Sequence, residues 1–171
     1  ANAANGTIAL LKSCATVGVK TQYFTNIYAY SEPVMQAIGE AAAGVIAPVH
    51  VAPWGSDVPG MKLIREMGGD TPKSTFYMAA ACTMMYLKEA LEWADKNGGV
   101  TGTNVQKAMY QKANWVPKGM EGVCAPATWT ATDHRSVDEV PLLQGTMDGG
   151  KPGWRKVDLI KVGRDKEWLG R

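Results

Sequence analysis

Apolar residues recur at helical spacing from Thr7 to Val17 (Ile8, Leu11, Ala15), and Gly18 follows as a stop, which predicts a helix of about three turns. Lys20 to Asn26 is short and rich in aromatic and Thr residues, which suits a strand. Ser31-Glu32-Pro33 supplies a cap and a proline near the first turn of a helix that extends to about Glu40. Gly44 to Val51 (GVIAPVHV) is an almost uninterrupted apolar run, the pattern of a strand buried on both faces of a parallel sheet. Helix, strand, helix, strand in this order makes two α/β crossover units, so the fold class is α/β with a doubly wound sheet.

The texture changes at Ala52 to Gly60, where two prolines and two glycines mark a connection. Helices then dominate. Met61 to Met67 predicts one, and Thr75 to Asn97 predicts a long one ended by Gly98-Gly99. The first half of the long helix is nearly all apolar, which places it deep in a core, with Met78, Met84 and Met85 inside. Thr101 to Asn104 caps a further helix through about Lys112. Strands are expected at Gly122 to Thr130, Val140 to Met147 and Trp154 to Val162, the last two as a hairpin across a Gly-rich loop.

Composition narrows the function classes. The 171 residues carry 18 Lys and Arg against 16 Asp and Glu, and a net charge of +2 leaves no concentrated basic stripe for tracking a nucleic-acid backbone. The longest apolar stretches, such as Ala41 to Pro48, are far shorter than the roughly 20 residues that span a bilayer. Cys14, Cys82 and Cys124 lie far apart without C-x-x-C spacing, which excludes a zinc ribbon or a thioredoxin-type pair, and the odd number leaves a thiol unpaired within the chain. The opening Ala1-Asn2-Ala3-Ala4-Asn5-Gly6 contains neither an initiator Met nor a signal segment and reads as a processed chain or a fragment.

Candidate chemistry is sparse. Asp133 beside His134 suggests an acid/base pair fed by a cysteine, but neighbours on an extended segment point to opposite faces, and a turn capped by Asp133 accounts for the pair more simply. Two histidines without clustered carboxylates make no metal site, and the glycines fit neither dinucleotide nor phosphate-loop spacing, so no cofactor is expected. The aromatic and amide run Tyr23 to Tyr30 leaves the carboxyl end of the first strand, where open α/β sheets bind small ligands. Such a loop either stacks an organic ring and donates hydroxyl hydrogen bonds or covers the sheet rim.

Four landmarks carry a family resemblance. The run Leu10 to Tyr23 (LLKSCATVGVKTQY) is similar to the helix-to-strand step of periplasmic binding proteins for branched-chain amino acids and related solutes. Gly39-Glu40-Ala41-Ala42-Ala43-Gly44-Val45-Ile46, then Pro59-Gly60-Met61-Lys62, then Thr132-Asp133-His134-Arg135 follow in the family's order. Members are about twice this length, so the chain resembles the C-terminal half of a type I solute-binding protein of an ABC importer. That fold has two Rossmann-like lobes joined by a three-strand hinge. The resemblance assigns residues 1–48 to the end of the second lobe, 49–130 to the returning helical part of the first, and 131–171 to the hinge and terminal β-hairpin.

The same resemblance implies a receptor without catalysis. A small amino acid or carboxylate-bearing solute would lie between the lobes. One lobe would contact it through Ala3, Asn26, Ile27 and Tyr28, the other through Phe76, Tyr77 and Met78. Amino-acid binders carry a carboxylate in the loop to hold the ligand ammonium, and Ile27 stands there, which weakens an amino-acid ligand and puts an aromatic or aliphatic carboxylate, or another solute with an uncharged amine, on an equal footing. The implied partners are the permease membrane subunits and the missing N-terminal half, without which the sheets lack strands and the chain is not expected to fold alone into a stable binder. The implied location is the periplasm, reached by secretion across the inner membrane or held by a lipid anchor. Cys14 and Cys82 would fall in different lobes, and Cys124 would be available to pair with the absent half. The alternatives are a ligand-sensing or regulatory domain of the same fold, and an α/β enzyme using His134 or a cysteine.

Overall fold

A computed structural model describes residues 3–163 and divides them into two units. The first holds 3–49, Ser74–Phe76 and Val140–Ile160, and the second holds His50–Lys73, Tyr77–Glu139 and 161–163. Residues 164–171 of the expected terminal segment lie outside the described residues.

In the first unit, helix α1 (Ala4–Thr16) packs on helix α2 (Glu32–Ile38) and on the short 3-10 turn Glu40–Ala42. The single helix expected over 31–40 is divided at Gly39, whose φ of +81° is a left-handed conformation that ends α2. The apolar run 44–51 forms a strand only over Ile46–Pro48 (β1): Pro48 lacks an amide hydrogen, Val49 N still bonds Pro141 O, and Val51 and Ala52 then turn to Cys124 and Val123. Val45, Ile46, Ala47 and Val49 are all buried, as the run suggests.

The strand's partners differ from expectation. β1 runs antiparallel to β2 (Glu139–Asp148), with Ile46 opposite Gln144 and Pro48 opposite Leu142. The expected strand at Lys20 to Asn26 contributes one parallel bridge, Phe24 with Ile46, made by Thr25 N to Ile46 O at 2.9 Å and Ile46 N to Tyr23 O at 3.0 Å. Its first residues are exposed polar groups that pair with no strand, so no ladder propagates. β2 and β3 (Lys151–Lys161) form the expected hairpin. Gly149 and Gly150 close it with φ of +54° and +78°, the two positive angles that a primed two-residue turn requires.

The second unit is built on three helices, α3 (Met61–Gly68), α4 (Thr75–Lys96, from Tyr77 onward) and α5 (Gly102–Met109). Thr101 caps α5 by accepting from Asn104 N at 3.2 Å. The deep burial expected for the start of α4 does not occur. Met78, Cys82, Ala90 and Ala94 form one buried stripe at helical spacing, whereas Phe76, Met84 and Leu87 are exposed by 37%, 60% and 36%. Of the methionines expected in the core, Met78 is buried, Met85 is half-buried and Met84 faces out.

The strand expected at Gly122 to Thr130 is reduced to isolated bridges, Val51 with Cys124 and Trp115 with Ala127. Gly122 in a left-handed conformation and Pro126 without an amide hydrogen interrupt it. Nearby, Gly60 abuts the Met120 backbone so closely that a side-chain carbon would lie 2.7 Å from a carbonyl carbon, which requires glycine there. Cys124 is joined to Cys82 of α4, so its partner lies within this chain and not in an absent half, and Cys14 is the free thiol.

Candidate functional site

Asn26 shapes the aromatic loop. Its Oδ1 accepts from Tyr28 N at 2.9 Å and its carbonyl accepts from Ala29 N at 3.2 Å, an Asx-type turn that leaves Tyr28 77% exposed. Ile27 is half-buried beside it. The chain then dives inward, since Ala29, Tyr30 and Ser31 are each fully buried. Tyr30 donates its hydroxyl proton to Ala42 O and meets the Trp154 ring edge-on, centroids 5.6 Å apart, while burial holds its phenol well above the usual range. Ser31 caps α2 through its carbonyl, which accepts from Met35 N at 2.8 Å, and its buried hydroxyl has no hydrogen-bond partner.

Glu32, the first residue of α2, reaches two distant elements. Its Oε2 accepts from Thr75 N at 2.8 Å and from Thr75 Oγ1 at 3.1 Å, and its Oε1 accepts from Trp154 Nε1 at 2.7 Å. Thr75 opens α4, where the first amide has no intrahelical acceptor, so a carboxylate there satisfies an orphan donor and matches the helix dipole. Phe76, the next residue, is partly exposed. The bonds of Glu32 therefore join the start of α2, which follows the 26–28 loop, to Thr75 and Trp154 within the first unit.

The remaining expected site residues are placed as follows. Ala3 is exposed at the cap of α1, its carbonyl accepting from Gly6 N and Thr7 N. Tyr77 and Met78 belong to the second unit, where Lys73 Nζ lies 5.4 Å from the Tyr77 ring centroid and Met78 is fully buried. Glu32, Thr75 and Trp154 were missed by sequence reasoning. Ser31-Glu32-Pro33 carried a helix-start signal that accounts for Glu32 locally, and nothing in the spacing points to partners 43 and 122 residues away.

His134 stacks on Tyr110, whose hydroxyl lies 2.9 Å from its Nε2. Asp133 Oδ1 accepts from Arg135 N at 2.9 Å and Arg135 Nε at 3.0 Å, and its Oδ2 pairs with Arg135 Nη2 at 3.0 Å. These contacts make Asp133 a turn-capping carboxylate bound to Arg135. Among the described residues no group of three His, Cys, Asp or Glu could hold a metal ion, and no helix is long and apolar enough to cross a membrane.

In the second unit, a groove of about 440 Å³ is lined by Lys88, Glu89, Glu92, Trp93, Lys112 and Lys118 among others. Its central carboxylate is already engaged. Glu89 accepts from Lys112 Nζ at 2.9 Å, Trp115 Nε1 at 2.8 Å and Lys118 N at 2.6 Å. Burial pushes its carboxyl up, and these donors outweigh burial and hold it below the usual range.

A sequence profile described as periplasmic binding protein matches residues 1–151. No curated protein matches by sequence. Among solved structures, a branched-chain amino acid ABC transporter protein from Thermus thermophilus with bound valine superposes with a TM-score of 0.76 at 18% identity, over 95% of this chain and 45% of that one. An ABC transporter substrate-binding protein from Aeropyrum pernix gives 0.73 at 17% identity, over 98% and 45%. A fatty acid ABC transporter substrate-binding protein from Thermomonospora curvata gives 0.72 at 18% identity, over 90% and 40%. The chain thus has the fold of these proteins and spans less than half of their length.

Proposed function

The chain belongs to the periplasmic binding protein family, and from that membership we propose that it is part of the two-lobed solute receptor of an ABC importer, binding without catalysis. The observation that carries this is the profile match over 1–151, nearly the whole described chain. In this reading residues 1–48 complete one lobe, 49–130 return to the other, and 131–171 form the hinge and terminal hairpin. The remainder of the receptor and the permease membrane subunits are its partners, and the periplasm is its location. The Cys82–Cys124 disulfide suits that oxidising compartment.

The solute is a small organic acid, aromatic or aliphatic, contacted by Ala3, Asn26, Ile27 and Tyr28 and by Phe76 and Tyr77, while Met78, fully buried, is left out of the contact set. Two facts favour an acid over an amino acid. Ile27 offers no charge for an ammonium group, and the nearest carboxylate in sequence, Glu32, already faces three donors. Asn26 and Tyr28 carry donors that a carboxylate needs.

A thermal-shift screen of the intact receptor against the common amino acids and a series of aromatic and aliphatic carboxylates tests this. A solute at 100 times its Kd adds about 2.7 kcal/mol to stability. Stabilisation by carboxylates lacking an amine supports the reading. Stabilisation by zwitterionic amino acids alone would sink the acid assignment, and no response to either class would sink the receptor reading.

A further inference from the structure

We propose that Glu32 is a positioning residue that holds Thr75 and Phe76, within the first unit, in register with the 26–28 loop, so that Phe76 and that loop meet a solute as one surface. This rests on the receptor reading above and names a residue that touches no solute itself.

The argument begins with donors. Thr75 N, Thr75 Oγ1 and Trp154 Nε1 all present hydrogen to the two oxygens of Glu32, at 2.8, 3.1 and 2.7 Å. A carboxylate carries acceptor lone pairs on both oxygens, enough to serve all three donors. Thr75 is 1% exposed, so water has little access to replace the lost acceptor. The same carboxylate is rooted at its own end, because the buried Tyr30 and Ser31 directly precede it and the Tyr30 ring packs on the Trp154 that Glu32 also holds. Glu32 is thus fixed on one side by the loop that carries Asn26, Ile27 and Tyr28. On the other side it fixes the amide one residue before Phe76.

Substitutions separate this role from general stability. Glu32→Ala removes every acceptor. In Glu32→Gln one oxygen becomes an amide that faces a donor, so either the Thr75 or the Trp154 contact is lost while the other survives. Trp154→Phe removes the indole bond and leaves both Thr75 bonds, so it controls for packing.

The experiment uses the intact receptor and reads two quantities. Amide exchange over 75–80 is expected to rise roughly tenfold in Glu32→Ala, less in Glu32→Gln and little in Trp154→Phe, with 90–96 at the far end of α4 unchanged in all three. Affinities for benzoate and L-valine, measured by calorimetry, are expected to fall in the same order for whichever probe the unsubstituted receptor binds. Unchanged exchange over 75–80 in Glu32→Ala would overturn the proposal, as would raised exchange with unaltered affinity. Exchange that rises equally along all of α4 would mean general destabilisation and would also overturn it. If the unsubstituted receptor binds neither probe, the solute reading fails for those classes, and the exchange pattern alone decides the Glu32 link.

Discussion

Cys82 and Cys124 are joined by a disulfide whose Cα atoms lie 5.6 Å apart and which closes a loop across 42 residues of sequence. It ties the buried stripe of α4 to the segment that pairs with Val51, in a region where short bridges take the place of a ladder. Both cysteines are 4% exposed. Chain-entropy arguments assign a loop of this size about 3–4 kcal/mol. Replacing both cysteines by Ala is expected to lower the melting temperature by roughly 10 °C, as read by calorimetry on the intact receptor. A change below about 2 °C would show that the unfolded chain gains little freedom from the cut.

Glu89 serves three donors at once, and its side chain is 16% exposed. Glu89→Ala leaves the Trp115 indole and the Lys118 amide without acceptors and is expected to cost about 2 kcal/mol by chemical denaturation. Its pH dependence has a definite sign. The carboxyl is held below its ordinary value in the folded state, so its stabilising effect is complete above the unfolded carboxyl's value and is lost as pH falls through the folded one. The unsubstituted protein should therefore lose stability under acid faster than Glu89→Ala, whose difference from it shrinks toward zero.

His50 behaves in the opposite chemical sense with the same outcome. Burial lowers its imidazole below the ordinary histidine value, so the folded state resists protonation that the unfolded chain accepts. Stability is unaffected at pH values well above 6.5 and declines as pH drops below it toward the folded value. His50→Gln, neutral throughout, should flatten the melting temperature between pH 7 and roughly pH 5, and an unchanged slope would assign it to other groups.

Gly145 lies on β2 against the buried Tyr30 and Met35, and a side-chain carbon there would run into the Tyr30 hydroxyl and the Met35 sulfur. Gly145→Ala is expected to cost about 1–3 kcal/mol in denaturant titrations. Displacement of Tyr30 also disturbs its edge contact with Trp154, so the variant's tryptophan emission should shift. A full-stability variant with unshifted emission would mean that the pocket around Tyr30 yields without cost.

The helices at 61–68, 75–96 and 102–109, the 139–161 hairpin and the family are legible in the order of amino acids alone. The reason is physical: caps, glycine stops and 3.6-residue spacing act within a few residues, and the Gly149-Gly150 turn closes its own hairpin. The Asn26 turn and the Asp133 cap are local in the same way. Which way α4 faces emerges only from packing, since an all-apolar stretch has no periodicity to show that Met78 goes in and Met84 out. Packing also decided that the 20–26 and 122–130 segments remain bridges, because a strand needs a partner along its whole length. The Glu32 and Cys82 links join residues far apart in the chain. Such pairings follow from how elements meet in space, and no local pattern encodes them.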